Sequence, residues 1–246
     1  MAFIRPYKPS DWAAAAHICR ATLPPSLDRS KVATRLAPYL WTHPFPVVTP
    51  QHCFVLDDGS GLAVGYVIGC ADVQAMAAAY GRYVNVVSGH EDEAVDIDPA
   101  FVAQARVDVG EAPAQIDQLE PWTLDVSTAV DGDRVNETCL KQFLFSPRWL
   151  LLDSAHTAAK RALVAGPDYR ATMHINLLPA AQGDGWGRRL IETFVASVVA
   201  AGARGVHIGI SGENTRVVAF YEKCGFRVEL GGEAEGSVWM VRDLKE

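Results

Sequence analysis

A glycine-rich turn between a short apolar run and an amphipathic one restricts the fold of this chain more than any other feature. The turn covers residues 182–187, the apolar run residues 174–178 and the amphipathic run residues 186–201. Glycines let the main chain reverse tightly and approach a ligand closely, and the unbonded N–H groups at a helix start carry partial positive charge. The order strand, glycine turn, helix therefore predicts a cradle for a pyrophosphate group, with an ordinary turn as the alternative.

The segments on either side of the turn support this interpretation. Ile175, Leu177 and Leu178 form the apolar run of a buried strand, which ends at Pro179 because proline has no N–H to give to a sheet. Downstream, apolar residues recur at helical spacing: Trp186, Leu190, Ile191, Phe194, Val195, Val198 and Val199. Gly202 is placed to end that helix. We therefore predict a helix that packs one face on a sheet.

A second unit follows, with a strand at residues 206–210 and then a turn and a short helix up to residue 226. Together the two units resemble the GCN5-related N-acetyltransferase (GNAT) family, in which a Gln/Arg-x-x-Gly-x-Gly/Ala loop binds the pyrophosphate of acetyl-CoA. The residues that match this loop are Gln182, Gly185 and Gly187. The family's later pattern, Asn…Phe-Tyr-Glu-Lys-x-Gly-Phe, is matched by Asn214, Tyr221, Gly225 and Phe226.

Within this family, one group of proteins is the most similar. Residues 169–179 and 4–11 resemble the acetyltransferase-like module at the C-terminus of O-GlcNAcases and its free-standing microbial relatives. The clear resemblance covers roughly residues 1–70 and 169–246, whereas the middle of the chain matches poorly.

The resemblance implies an α/β (α+β) GNAT fold, with a mixed central β-sheet flanked by helices on both faces and an insertion between strands 3 and 4. It also implies an acyltransferase that passes acetyl from acetyl-CoA directly to an amine, with Tyr221 as the general acid beside the CoA sulfur. A neutral tyrosine, whose ordinary pKa is about 10, can donate to a developing thiolate. The residues implied in cosubstrate binding are Leu177, Leu178, Gln182, Gly183, Asp184, Gly185, Trp186, Gly187, Arg188 and Asn214.

Several of these roles have alternatives. Tyr221 could be a packed core aromatic, Asn214 could cap the last helix, and Arg189 could lie on the surface. Main-chain N–H groups near Leu177 or Leu178 are expected to polarise the thioester carbonyl, in a strand that splays and leaves a donor unbonded. The general base is left open among a water held by backbone carbonyls and four side chains, those of Glu213, His174, His156 and Asp153.

Two residues depart from the family pattern. The loop often has a basic or neutral residue where this chain has Asp184, and a carboxylate beside a pyrophosphate is unfavourable unless it points to solvent or pairs with an arginine. The O-GlcNAcase type of pattern has aspartate where this chain has Asn176, and an amide cannot take up a proton at neutral pH. An acid–base role at position 176 is therefore unavailable.

Length and composition fit an enzyme of ordinary size. The 246 residues and 49% apolar content can form a large core, and the net charge of −7 argues against a general nucleic-acid binder and suits a cationic amine substrate. The five cysteines lack metal-binding spacing, so we expect reduced, mostly buried thiols and no metal. Neither a secretory signal nor a membrane span is evident, which favours a cytoplasmic protein that is a monomer or homodimer.

We expect one domain over residues 1–246, with residues 71–168 as a partly helical insertion. The remaining strands are predicted at residues 3–5, 53–56, 62–70, 226–230 and 238–242. Helices are predicted at residues 11–22 with Ser10 as cap, 30–40, 75–79 and 135–145, and residues 149–152 should dock on the core. The acidic residues 91–93 and 96 are interpreted as a solvated face.

Two classes of function are left open. The first is an acetyl-CoA-dependent N-acetyltransferase that acts on a small molecule or a protein lysine without a covalent enzyme intermediate, because no activated cysteine or serine pair is evident. The second is a catalytically silent acyl-CoA-binding or protein-interaction module with the same fold. The presence of Gln182, the loop glycines and Tyr221 favours the enzyme. A nicotinamide-binding domain is excluded because the glycine spacing is not G-x-G-x-x-G.

Overall fold

A seven-stranded sheet organises the chain in a computed structural model, which describes residues 1–90, 97–129, 132–152, 158–231 and 237–244. The strands are β1 Phe3–Pro6, β2 Phe54–Asp57, β3 Ala63–Cys70, β4 Ala171–Leu177, β5 Gly205–Ser211, β6 Arg227–Glu229 and β7 Ser237–Asp243. Their order across the sheet is β1-β2-β3-β4-β5-β7-β6. The β4–β5 pair is parallel, as the helical crossover between the two strands predicts, and the other neighbouring pairs are antiparallel.

Helices cover both faces of the sheet, so the predicted mixed fold is confirmed. In the first part of the chain they are α1 Trp12–Ala21, α2 Pro25–Asp28, α3 Lys31–Trp41 and α4 Pro44–Val48. Between β3 and β4 stand α5 Val73–Ala79, α6 Gly81–Val87, α7 Pro99–Val109, α8 Glu137–Phe145 and α9 Ala158–Ala165. The last two are α10 Trp186–Ala200 and α11 Val218–Lys223. The predicted insertion between the third and fourth strands is therefore present and largely helical.

The alternation of side chains along β4 separates two faces of the sheet. Met173, Ile175 and Leu177 join the apolar cluster that contains the buried side of α10. His174 lies on the opposite face, where its ring centroid is 6.2 Å from that of Tyr66 on β3. Helices α1 and α4 pack against this second face. As a result, one face of β4 is apolar and covered by α10, and the other carries polar side chains.

The helix predicted at residues 30–40 is present as α3, whereas the predicted cap of the first helix is wrong. Ser30 caps α3, because its hydroxyl accepts the Ala33 N–H at 2.9 Å. Ser10 does not cap α1, which begins at Trp12 after a short 3-10 turn, and the residue in the cap position is Asp11. The Asp11 carboxylate instead forms an ion pair with Arg5, in which the two closest atoms are 2.7 Å apart. That pairing uses the carboxylate to join the first strand to the first helix.

The insertion and the cysteines fit the predictions in the described part of the chain. Trp149 and Leu151 are buried, and Leu151 belongs to the main apolar cluster together with residues from α1 and α3. All five cysteines are free and buried. The acidic residues 91–93 and 96 lie outside the described residues. Within the described ranges, no helix is long and apolar enough to cross a bilayer, and no group of potential ligands is assembled for a metal ion.

His43 is enclosed in an aromatic cluster without a hydrogen-bond partner. Its ring is fully buried and stacks on Trp12 with 3.4 Å between centroids, and both ring nitrogens are unbonded within the described residues. Phe101 and Tyr39 complete the cluster. Burial lowers the pKa of His43 well below its ordinary value of 6.5. The ring is therefore held neutral, because a charge there would have neither solvent nor a counter-ion.

We expect His43 to make the protein less stable as the pH falls. Below pH 6.5 the unfolded chain takes up a proton that folded His43 cannot hold, so the free energy of unfolding decreases with falling pH. Between pH 7.5 and 5.5 this group alone should remove about 1.4 kcal/mol. Urea unfolding of His43→Phe at both values should show a pH dependence smaller by that amount. The control is His17→Asn, which removes an exposed histidine of α1 and so separates the effect of burial at His43 from the loss of any histidine.

Candidate active site

The parallel strands β4 and β5 pair at one end only. Ala171 pairs with Val206 and Thr172 with His207, and no further pair joins the two strands within the described residues, although β4 continues to Leu177. Because the strands are parallel, both carboxyl ends lie at the same edge of the sheet, which is where ligands bind in open α/β sheets. The structure thus contains the splayed pair that the sequence predicts, with unpaired main-chain groups facing a gap.

The register decides which donors face this gap. The Leu178 N–H donates to Val64 O at 2.9 Å, so the expectation that Leu178 could polarise a carbonyl is wrong: that donor is already used in the antiparallel β3 ladder. Successive N–H groups of a strand point to opposite sides. Those of Leu177 and Ile175 therefore point toward β5, beyond the last β4–β5 pair. Leu177 stays a candidate, and Ile175 is a second one that the sequence did not single out as a donor.

The glycine loop joins β4 to α10 and leaves its amides unbonded. Gly183 and Gly185 have φ of 98° and 77°, which only glycine adopts easily, and Gly185 is the residue before the helix. Within the described ranges, none of the N–H groups of residues 183–188 has an acceptor, and the next one, of Arg189, donates to Gly185 O at 3.2 Å. The loop therefore presents a row of free donors at a helix start.

Gln182 fixes this loop to the strand. Its side-chain amide donates to the Leu177 carbonyl oxygen at 2.9 Å. This bond occupies an acceptor of the open β4 edge and closes the turn on itself. The structure thus gives Gln182 a structural role in the loop, and its role in cosubstrate binding stays a prediction.

The charges around the loop favour an anion. Arg188 is exposed and has no ion-pair partner among the described residues. The Arg189 guanidinium lies over the Trp186 ring, 4.6 Å from its centroid, which supports a structural role for that arginine. Asp184 is exposed, so its carboxylate can remain in solvent, where its repulsion of a pyrophosphate is screened. One unpaired cation and the helix dipole therefore act on the loop together.

A close contact brings α11 to the start of α10. A Cβ atom added at Gly187 would lie 3.1 Å from Cζ of Phe220, so no larger residue fits without moving that ring. The neighbouring side chain, Tyr221, is half-buried and packs edge-on against Phe220 and Phe226, with centroids 5.2 and 5.7 Å apart. Tyr221 thus lies next to the loop, although the two segments are far apart in sequence.

Tyr221 has the properties of a hydrogen-bond donor that stays neutral. Burial raises its pKa to about 12, with a smaller contribution from Cys224. Its hydroxyl has no partner within the described residues. A phenol that keeps its proton at neutral pH and has no acceptor in the protein can donate to a ligand atom. The packing alternative is also partly right, because the ring belongs to the apolar cluster beneath α10.

Asn214 does not cap a helix. Ser211 is the cap of the 3-10 turn after β5, accepting the Glu213 N–H at 3.3 Å, and α11 has no side-chain cap. The Asn214 side-chain oxygen, Oδ1, accepts the Arg216 Nε–H at 3.1 Å. The side-chain NH2 group of Asn214 is left without an acceptor in the described part of the chain. The capping alternative is therefore wrong, and the role in cosubstrate binding stays a prediction.

The candidates for the general base are in different surroundings. Glu213 is exposed and accepts the Ser26 N–H at 3.3 Å, so it links the 3-10 turn to α2. Asp153 and His156 lie outside the described residues. His174 stands on the polar face of β4, between the last β4–β5 pair and the end of the strand. Of the two candidates that the structure describes, His174 lies in the splayed stretch and Glu213 does not.

His174 belongs to a chain of hydrogen bonds that the sequence did not reveal. The Asn176 Nδ2 is 3.3 Å from His174 Nε2 and donates to the Tyr66 hydroxyl at 3.0 Å. That hydroxyl is 3.1 Å from Thr42 Oγ1. Burial lowers the pKa of His174 to about 4, so its ring is neutral at physiological pH. The only sequence signal for this series of hydrogen bonds is the spacing of two between positions 174 and 176, which puts both side chains on one face of the strand.

Two cavities lie away from this gap. One, of about 430 Å³, is a shallow basic depression beside α1 and α3 that includes Arg20, Arg29 and Arg35. The other, of about 150 Å³, lies at the paired end of β4 and β5, opposite to the splayed end, and includes Arg170 and Arg204. Neither cavity is lined by the glycine loop or by Tyr221. The candidate active site is therefore identified by its unbonded main-chain donors and not by a cavity.

A mixed sheet whose parallel pair splays beside a glycine loop with free amides has the layout of a site for a phosphate-bearing ligand at the carboxyl ends of its parallel strands. The sequence model of one family, described as the acetyltransferase (GNAT) domain, matches residues 152–228. The chain is a member of the GNAT superfamily and an acyltransferase. The finer resemblance to the O-GlcNAcase module stays a prediction.

Similar proteins support this assignment. Uncharacterized N-acetyltransferases of Mycobacterium bovis (strain ATCC BAA-935 / AF2122/97) and Mycobacterium tuberculosis (strain ATCC 25618 / H37Rv) are each 29% identical in an alignment of 129 residues that covers 48% of this chain and 82% of theirs. The crystal structure of SsHAT is similar with a TM-score of 0.71 and 27% identity, covering 100% of this chain and 99% of that one. The likeness to SsHAT thus includes residues 71–168, which the sequence alone did not match.

Proposed function

We propose that the protein transfers the acetyl group of acetyl-CoA directly to an amine, carried by a small molecule or by a protein lysine. The observation that carries this proposal is the row of unbonded N–H groups at residues 183–188, next to the unpaired stretch of β4. Donors left free at a helix start are suited to a pyrophosphate, and Arg188 adds a cation beside them. The amide groups of the pantetheine arm can bond to the open main-chain groups of β4, and the Asn214 NH2 group can donate to the cosubstrate.

The reacting groups follow from the same geometry. The N–H of Ile175 or Leu177 donates to the thioester carbonyl oxygen, whose negative charge grows as the amine attacks. The C–S bond then breaks, and the sulfur takes the proton of the Tyr221 hydroxyl. No enzyme nucleophile is needed, because the described cysteines are buried and free and burial raises the pKa of Cys53 and Cys70, which disfavours thiolates.

The proposal is tested by deleting one loop donor without breaking the helix. Proline is well tolerated at the first helical position, where its missing N–H has no intrahelical partner, so Trp186→Pro removes an amide of the loop. It also disfavours the observed backbone of Gly185 (φ 77°, ψ 5°), which weakens the loop further as a phosphate site. We expect its Kd for acetyl-CoA, measured by calorimetry, to be about 10- to 100-fold weaker than that of Trp186→Ala, because a hydrogen bond to a charged group contributes about 1.5–3 kcal/mol.

The matched control is Trp186→Ala, which loses the same ring but keeps the N–H. The melting temperatures of the two variants should agree within a few degrees, and thiol release from acetyl-CoA should be screened over a panel of amines with the unchanged protein. Equal affinities of the two variants would show that the loop amides do not hold the pyrophosphate. Acetyl-CoA binding without thiol release for any amine or lysine peptide would contradict the transfer step.

A further inference from the structure

Helices α1 and α4 pack on the polar face of β4, but they do not seal it, because His174 on that face is half-buried. Helix α10 packs on the other face, where Ile175 and Met173 join its apolar cluster. Continuing the parallel register past the pair Thr172–His207 brings His174 level with Gly209, where the two strands no longer bond to each other. His174 is therefore at the edge of the gap, on the face that α10 leaves free.

One nitrogen of the His174 ring is bonded within the protein and the other is not. Nε2 is 3.3 Å from the Asn176 side-chain nitrogen. Nδ1 has no partner among the described residues and is not enclosed, since His174 is half-buried and is absent from the buried unbonded groups. The free nitrogen thus has access to the gap.

The Asn176 side-chain amide can form a hydrogen bond with either tautomer of the His174 ring. With its NH2 group toward Nε2, it donates to that nitrogen and Nδ1 carries the proton. Turned by a half rotation of its amide, it presents its oxygen, accepts an Nε2–H and leaves the Nδ1 lone pair free. Tyr66 fits both arrangements, because its hydroxyl can accept from the amide or donate to it, with Thr42 Oγ1 as its second partner.

We propose that His174 accepts the proton of the attacking amine at Nδ1 and that Asn176 is the positioning residue that holds its ring. This assignment rests on the proposed acetyl transfer. The amine nitrogen forms a bond to the thioester carbon and loses its proton to Nδ1, while the C–S electron pair goes to sulfur, which is protonated by Tyr221. Solvent then takes the proton from His174 and returns one to Tyr221, so the sum is amine plus thioester giving amide plus thiol.

The groups around His174 do not offer a stronger base. Tyr66 on β3 and Cys19 on α1 stay protonated, because burial raises the pKa of each. On β5, His207 faces the same side, but its Nδ1 is 2.6 Å from the Tyr169 carbonyl oxygen, and it lies in the paired end of the strand. A base with a pKa of about 4 is weak, so its contribution should lie near the lower end of the range for acid–base catalysis, about 100-fold in kcat.

The test is chemical rescue of His174→Ala. We expect kcat for acetyl transfer to fall about 100-fold, the Kd for acetyl-CoA to stay within about twofold, and added imidazole to restore at least a tenth of the activity. The matched control is His207→Ala, which also removes a neutral histidine from this face, one that is bonded to the Tyr169 carbonyl oxygen. Any loss of activity in that variant should follow its loss of stability and should not respond to imidazole.

Asn176 gives a second test that a purely structural role would not pass. In Asn176→Ala the KM for acetyl-CoA should be unchanged and kcat should fall about tenfold, because the ring loses its partner at Nε2. In Asn176→Asp the carboxylate should raise the pKa of His174 above about 4, as followed by NMR titration, and restore kcat toward that of the unchanged protein.

The outcomes separate this inference from the proposed function. If the unchanged protein acetylates an amine but His174→Ala keeps its kcat, or loses it without any response to imidazole, the assignment of His174 is wrong and acetyl transfer stands. If the unchanged protein binds acetyl-CoA and acetylates nothing, the proposed function fails first, and His174 with it. An Asn176→Asp variant whose His174 pKa does not rise would overturn the positioning role.

Discussion

Tyr221→Phe is expected to lower kcat for acetyl transfer about 100- to 1,000-fold while the Kd for acetyl-CoA stays within about twofold. The substitution removes only the phenolic hydroxyl, with the proton that it would donate, and the ring keeps its edge-on contacts with Phe220 and Phe226. Since burial raises the pKa of Tyr221 to about 12, the donor should stay protonated over the whole accessible pH range. Single-turnover measurement of thiol release, with calorimetry for binding, checks both numbers.

The matched control for this variant is Tyr169→Phe. Tyr169 is a tyrosine outside the gap, whose hydroxyl bonds to Asp243 and accepts from Arg227 at 2.7 Å. Loss of this hydroxyl should leave kcat unchanged within about twofold, because its hydrogen-bond partners, Asp243 and Arg227, lie outside the gap. A kcat of Tyr221→Phe equal to that of Tyr169→Phe would mean that the departing thiolate takes its proton from solvent.

Phe194→Ala is expected to cost about 3–5 kcal/mol of unfolding free energy, a large part of the roughly 5–15 kcal/mol that folded domains have. Phe194 is fully buried at the contact of α10 with the sheet. Its Cε2 atom is 2.6 Å from the position that a Cβ of residue 69 would take, so the ring fills the space that Gly69 leaves free. Denaturant unfolding measures the loss, and Val199→Ala, on the exposed side of α10, should change stability by less than about 0.5 kcal/mol.

The contact between Gly69 and the Phe194 ring also predicts how substitutions at these two positions combine in their effect on stability. Gly69→Ala should also destabilise, because its Cβ would clash with Thr172 O as well as with the Phe194 ring. Removing the ring relieves only the second clash, so the double variant should remain less stable than Phe194→Ala alone. A double variant more stable than Phe194→Ala would show that the backbone of β3 can move away from Thr172 O.

The site could be predicted from the sequence wherever a local rule acts. The glycine turn, the start of α10 and the parallel crossover follow from residue spacing, since φ above zero and helical periodicity are local properties. The resemblance added Tyr221, which no periodicity separates from an ordinary packed aromatic. The structure shows the packed ring and a raised pKa for Tyr221, and its role as the proton donor stays a prediction.

What could not be predicted depends on tertiary register. The choice between Leu177 and Leu178 as donor is decided by the bond from Leu178 to Val64, and a shift of one residue reverses it. The bond between Asn176 and Tyr66 joins residues 110 positions apart, which no local pattern shows. Ser10 and Asp11 are both acceptable caps by residue type, and the ion pair of Asp11 with Arg5 decides how that carboxylate is used.

Strands β4 and β5 are joined by two residue pairs, Ala171 with Val206 and Thr172 with His207. This short pairing has a consequence for the protein when acetyl-CoA is not bound. Beyond that ladder the sheet contains an internal edge, where strand main-chain groups face an opening instead of a neighbour. An exposed edge of this kind is a template to which an extended segment of another polypeptide can add. The empty protein is therefore expected to self-associate more readily on prolonged warming than the protein saturated with acetyl-CoA, whose arm would occupy that edge.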